Sequence, residues 1–212
     1  MITALGPAII GASLLSATIY GAAFSWRDAS ALKTLLKTLS LAVVCVLAAA
    51  TDAPWLLVAA LAASSLGDAA LAAPGDKRFL VGLGSFALAH VLYIILFWQM
   101  IAQFDMTVLA IAGGVFGLLA LSTVWWLLPF THDLKLPVAV YVLLITGMGV
   151  LSTQLGGLVM AGALAFIASD LLLSLQLFRL PDRPSLTVPI SVALWVLYYG
   201  GQISIFLALT AA

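Results

Sequence analysis

Residues 54–78 read Pro54-Trp-Leu-Leu-Val-Ala-Ala-Leu-Ala-Ala-Ser-Ser-Leu-Gly-Asp68-Ala-Ala-Leu-Ala-Ala-Pro74-Gly-Asp-Lys-Arg78. From Pro54 to Ala73 the only charge is Asp68, and a turn of Pro, Gly and basic residues follows. A transmembrane helix needs about 20 predominantly apolar residues. The stretch therefore reads as a membrane span that carries a carboxyl inside it and ends in a basic loop.

The rest of the chain repeats that grammar. Spans are expected at 3–23, 31–50, 54–73, 79–102, 106–129, 136–153, 156–178 and 187–210. Turn chemistry separates them at Asp52-Ala-Pro54, Pro74 to Arg78, Pro129 to Pro137, Gly156-Gly157 and Pro181 to Pro184. The runs are continuously apolar, whereas barrel strands alternate over about ten residues, so helices are expected. Of 212 residues, 65% are hydrophobic and 8% charged, and glutamate and asparagine are absent. A soluble domain carries about 25% charged residues. With eight basic and eight acidic residues there is no basic surface for nucleic acid. Cys45 is the only cysteine, which excludes an internal disulfide. The N-terminus lacks the charged region of a cleaved signal peptide, so the first span is expected to stay.

The basic residues set the direction. Arg27, Lys33 and Lys37 lie at or near the first loop, Lys77 and Arg78 in the third, Lys135 at the fifth, Arg179 and Arg183 at the seventh. The even loops and both termini have none. By the positive-inside rule the odd loops are cytoplasmic and both termini lie on the far side. The expected fold is all-α, a polytopic bundle of eight transmembrane helices forming a single integral membrane domain over 1–212. In a bacterium it would sit in the inner membrane. An offset of 102 residues pairs Lys33 with Lys135, Asp68 with Asp170 and Lys77 with Arg179, which reads as a weak internal repeat (1–104 and 105–212) of two parallel four-helix halves.

Ionisable groups in hydrocarbon are costly and mark functional sites by default. Asp28, Asp52, Asp76, Asp105, Asp133 and Asp182 fall at span ends and read as solvated loop charges. Asp68 and Asp170 do not; they lie roughly 8 and 12 Å below the cytoplasmic ends of their spans. Lys37, His90, Tyr93, Tyr141, Ser169, Tyr198, Tyr199 and Gln202 fall at compatible depths. The bland alternative is that Asp68 pairs with Lys37 or His90 and merely locks helices together. Trp55, Trp125 and Trp126 read as interface residues, and Gly113 with Gly117 as a small-xxx-small packing pair. With only His90 and His132, and no glutamate, neither a three-histidine zinc site nor a His-Glu-x-x-His motif exists. No phosphate-cradling glycine loop and no Gly-x-Ser-x-Gly elbow appears. What remains is equipment for acid–base work on a lipid-phase substrate or for proton movement.

Leu36-Lys-Thr-Leu39, Ser65-Leu-Gly-Asp68, Gly82-x3-Phe86-x3-His90-x2-Tyr93, Pro137-x3-Tyr141, Gly162-Ala-x2-Phe166-x2-Ser169-Asp170 and Tyr199-x2-Gln202 together resemble the YhhN family, the lysoplasmalogenases. That resemblance implies an eight-helix membrane hydrolase of lysoplasmalogens, single-chain glycerophospholipids with an sn-1 vinyl ether. Its products would be a fatty aldehyde and glycerophosphoethanolamine or glycerophosphocholine. A bacterial member could instead act on another ether lipid or lysolipid. The residues suit the chemistry. A vinyl ether hydrolyses when an acid protonates its β-carbon and water captures the oxocarbenium ion. Burial keeps a proton on a carboxyl, and a nearby second carboxylate keeps it there more firmly, so two Asp can split into acid and base. Asp68 and Asp170 are expected to form that pair, with His90 orienting one of them or the water. Tyr93, Tyr141, Ser169, Tyr199 and Gln202 would bind the substrate, with Tyr141, Tyr199 and Gln202 at the glycerol backbone. Lys37 would meet the phosphate. No metal or cofactor is required. The expected partners are a lysophospholipid and membrane lipid, and the sequence does not define an oligomeric state. Two rival readings are a proton-coupled transporter or channel using Asp68, Asp170 and His90 as a relay, and a non-catalytic lipid-binding scaffold.

Overall fold

The computed structural model describes residues 2–181 and 183–210; Asp182, read above as a loop charge, lies outside them. Among the described residues there are eight α-helices and no strand: α1 (Ile2–Ile19), α2 (Ala31–Ala50), α3 (Trp55–Leu71), α4 (Asp76–Met100), α5 (Met106–Trp126), α6 (Lys135–Leu155), α7 (Gly157–Phe178) and α8 (Pro184–Thr210). A π-helical turn, Tyr20–Phe24, extends α1, and two short 3-10 turns join α5 to α6. Seven helices are long and apolar enough to cross a membrane, so this is an integral membrane protein. The exception is α3. Its 17 residues fall short of the twenty expected and span about 26 Å at 1.5 Å per residue, against about 30 Å of hydrocarbon.

Local chemistry sets the ends. Ser30 caps α2 by accepting from the Lys33 amide at 3.1 Å, and Asp105 caps α5 by accepting from the Thr107 and Val108 amides at 2.8 and 3.0 Å. Pro54 precedes α3, and Pro137 lies in the first turn of α6, where a missing N–H costs nothing. Gly75, at φ 129°, makes the turn into α4 in a conformation that a side chain would strain.

Neighbour packing runs α1–α2–α3–α4–α6–α7–α8, and α8 returns to the π-turn and α2, closing a ring. The fifth helix stands outside it and packs chiefly on α6. Glycines set the closest crossings. A Cβ on Gly162 would stand 2.6 Å from the Gly201 carbonyl oxygen, and one on Gly201 would stand 2.7 Å from that of Gly162. Backbone therefore meets backbone where α7 crosses α8. Gly113 and Gly117, expected to pack, instead face open space on the outer side of α5. Because α5 packs chiefly on one neighbour, much of its circumference is exposed, and spacing alone does not reveal that. Two apolar clusters result. The main core spans the ring, and a satellite forms around Leu127, Leu128 and Val138 beneath the α5–α6 connection.

Candidate active site

Two features bring charge into the ring. Asp68 sits in the last turn of α3, at the negative end of the helix dipole. Lys37, on α2, offsets it, with Nζ 3.4 Å from Asp68 Oδ1 and the carboxylate 1% exposed. The ion pair is not a hydrogen bond, because Oδ1 lacks a hydrogen-bond partner. The other oxygen accepts from the Tyr198 hydroxyl on α8 at 2.7 Å. Three helices thus converge on one carboxylate. Asp170, on α7, accepts from the Tyr141 hydroxyl of α6 and, at 3.4 Å, from Ser169 Oγ.

Both carboxyls line one cavity of about 570 Å³. Because α3 stops one turn after Asp68, the turn into α4 forms part of its wall, together with Arg27 and Asp28 from the α1–α2 connection and Lys33 from the first turn of α2. These lie in or beside the first and third loops, and Asp28 and Asp76 line the wall beside Arg27 and Lys33. Aromatic rings line the interior. Phe86 meets Tyr198 edge to face at 5.6 Å between centroids, and Tyr20 and Trp195 lie 4.3 Å apart. A second, much smaller cavity of about 40 Å³ lies beyond Asp170 between α4, α6 and α7, and Tyr141 lines it.

Of the residues singled out in the sequence, Asp68, Asp170, Lys37, Ser169 and Tyr198 line the main cavity, and Tyr141 reaches it through Asp170. Lys37, placed at the phosphate by the sequence, is committed to Asp68, and Arg27 and Lys33 are the cations toward the loops. His90 makes no hydrogen bond to either carboxyl. Its Nδ1 donates to the Phe86 carbonyl at 2.6 Å, and its Nε2 has no partner. Its ring packs on Phe166 and Tyr141 and lines neither cavity. Tyr93 donates to Gln202 Oε1 at 2.5 Å, and Gln202 Nε2 donates to Ser64 at 2.9 Å, a buried tie between α4, α8 and α3. Tyr199 bonds Ser13 at 2.7 Å, and Ser13 donates to the Ser40 carbonyl. These three side chains, expected at the substrate, bond neighbouring helices and do not line the cavity. Tyr198, and not Tyr199, lines the cavity. Gln176 and Ser191, bonded at 3.0 Å, also line the cavity. No cluster of potential metal ligands occurs among the described residues.

The YhhN family model matches residues 29–209, most of the chain. No curated protein and no solved structure matches it.

Proposed function

Since the chain belongs to the YhhN family, we propose that it is a membrane hydrolase cleaving the vinyl ether bond of lysoplasmalogens, with ethanolamine or choline head groups, to fatty aldehyde and glycerophospho head group. The observation that carries this reading is the placement of two carboxyls, from α3 and α7, on one cavity with cations toward the loops and aromatic rings inside. The odd loops face the cytoplasm by their basic residues, so the cavity opens toward that leaflet.

The two carboxyls differ in one neighbour. Lys37 pairs with Asp68, and no ion pair to Asp170 occurs among the described residues. Asp68 is then the carboxylate and Asp170 the acid. Asp170 gives its proton to the vinyl ether β-carbon. The oxocarbenium ion forms beside the Asp68 carboxylate and the rings of Phe86 and Tyr198, where a fixed anion and π faces stabilise positive charge. Water attacks the cation and gives a proton to Asp68. The hemiacetal then collapses. Asp68 protonates the departing glycerol oxygen, and the hemiacetal hydroxyl returns a proton to Asp170. A proton relay through His90 finds no comparable support, because that ring touches neither carboxyl by hydrogen bond.

The test is product release by purified protein in micelles from vinyl-ether, alkyl-ether and acyl lysolipids. Aldehyde is expected from the vinyl ether alone. In heavy water it carries one deuterium on the carbon beside the carbonyl, and in ¹⁸O-water it carries the label in the carbonyl. Absence of aldehyde, or near-wild-type release by inserted Asp68→Asn or Asp170→Asn, would end the reading.

A further inference from the structure

Asp170 has a property that Asp68 lacks: it lines both the polar cavity and the small apolar cleft between α4, α6 and α7. The cleft's other walls are apolar on nearly every side, with Leu83 from α4, Val138 and Val142 from α6, and Leu173 and Phe178 from α7. Toward the loops, Phe79 and Phe178 meet edge to face at 6.3 Å and 85°, and both also border a wider cleft of about 720 Å³ at the level of the α5–α6 connection.

The cleft also follows a seam in the packing. Leu83, Val138, Val142 and Phe178 belong to the satellite cluster, while Leu71, Phe86 and Tyr141 pack with the main core. Where two cores abut, fewer buried contacts cross, and local opening is easiest. At about 40 Å³ the cleft holds little more than a single water's share of liquid, ~30 Å³. An occupant must therefore part the seam.

The geometry points to this cleft as the seat of the substrate's single hydrocarbon chain, with Leu83, Val142 and Phe178 setting which chains are accepted. The inference rests on the hydrolase reading above. In a single-chain amphiphile the bond to be cut stands where polar head meets chain, and Asp170 stands where polar cavity meets apolar cleft. The head then lies toward Arg27 and Lys33, and the chain lies across the seam. An apolar wall rewards each buried methylene and offers nothing to a second polar group.

Two measurements test it. The first is the ratio of kcat/KM for a long-chain over a short-chain vinyl-ether lysophospholipid. Val142→Trp and Leu83→Trp fill the cleft and are expected to lower that ratio at least tenfold, while Phe178→Ala raises it. A ratio within twofold of wild type in all three variants overturns the inference. The second uses wild-type protein and a lysophosphatidylcholine with a diazirine at the fourth to sixth chain carbon. Light is expected to attach it to α4, α6 or α7 near Leu83 and Val142, and labelling confined to α1 or α2 overturns the inference. Cross-linking needs no turnover. Failure to hydrolyse any lipid would therefore count against the reaction alone, and the label would still decide the path.

Discussion

Removing Lys37, Asp68 or both separates what the ion pair does for folding from what it does for chemistry. In Lys37→Met the apolar stem is kept and the charge lost, leaving a 1%-exposed carboxylate with only the Tyr198 hydroxyl. Breaking a buried pair in this way costs about 3–5 kcal/mol. Asp68→Asn is milder. The amide still accepts from Tyr198, and Lys37, 12% exposed, can turn its ammonium toward the cavity mouth. Its cost is expected to stay below that of Lys37→Met, because no buried charge is left without a partner. The double variant removes both charges, so its cost is expected to fall below that of Lys37→Met alone, with a coupling of about 2 kcal/mol or more. Activity follows another order. The anion that stabilises the oxocarbenium ion is absent in Asp68→Asn and in the double variant, so aldehyde release is expected to fall at least a hundredfold in both, about 2.7 kcal/mol of barrier. Stability is read from denaturant unfolding in micelles and activity from aldehyde release on the same preparations. A double variant whose cost is the plain sum of the singles would refute the buried-pair argument. One that recovers activity together with stability would refute the catalytic role of Asp68.

Tyr198→Phe is expected to reduce kcat about ten- to a hundredfold by removing the hydrogen bond to Asp68. Tyr199→Phe, which loses only the Ser13 bond, is expected to change kcat less than threefold; a reversed order would refute the role given to Tyr198. Gln202→Leu leaves the Tyr93 and Ser64 hydroxyls unpaired in the core, at about 1–3 kcal/mol each, and shows in unfolding rather than in KM. Gly201→Ala drives a Cβ into the Gly162 carbonyl and is expected to cost about 1–3 kcal/mol or more. Gly117→Ala, with nothing within 4 Å, is expected to be silent in the same unfolding assay.

The fold was legible because a bilayer permits few ways to satisfy a backbone. Once a run is about 20 residues long and apolar, its helix and ends follow from Pro, Gly and the caps, and α2 matches its expected bounds of 31–50. The third span was read too long. Ala72 and Ala73 suit a helix, yet Pro74 and Gly75 pull the chain out of it a turn after Asp68. That shortfall matters to the site, since the residues released from α3 become cavity wall.

Which polar residues face the cavity was only half legible, for a physical reason. In a soluble helix the solvated face is polar and the buried face apolar, so periodicity points inward. Here lipid makes the outer face apolar too, and polarity marks only that a residue avoids lipid. Two fates satisfy that demand. A hydroxyl or amide can bond a neighbouring helix, as Tyr93, Gln202 and Tyr199 do, or it can front a cavity, as Tyr198 does. Sequence depth is the same for both, and Tyr198 and Tyr199 differ only by one step of the helix, about 100°. Carboxylates escape the ambiguity because a single hydroxyl partner does not offset a buried charge. Asp68 and Asp170 therefore had to meet a cation, several donors or a wet cavity, and the short third helix supplies a cavity that both share.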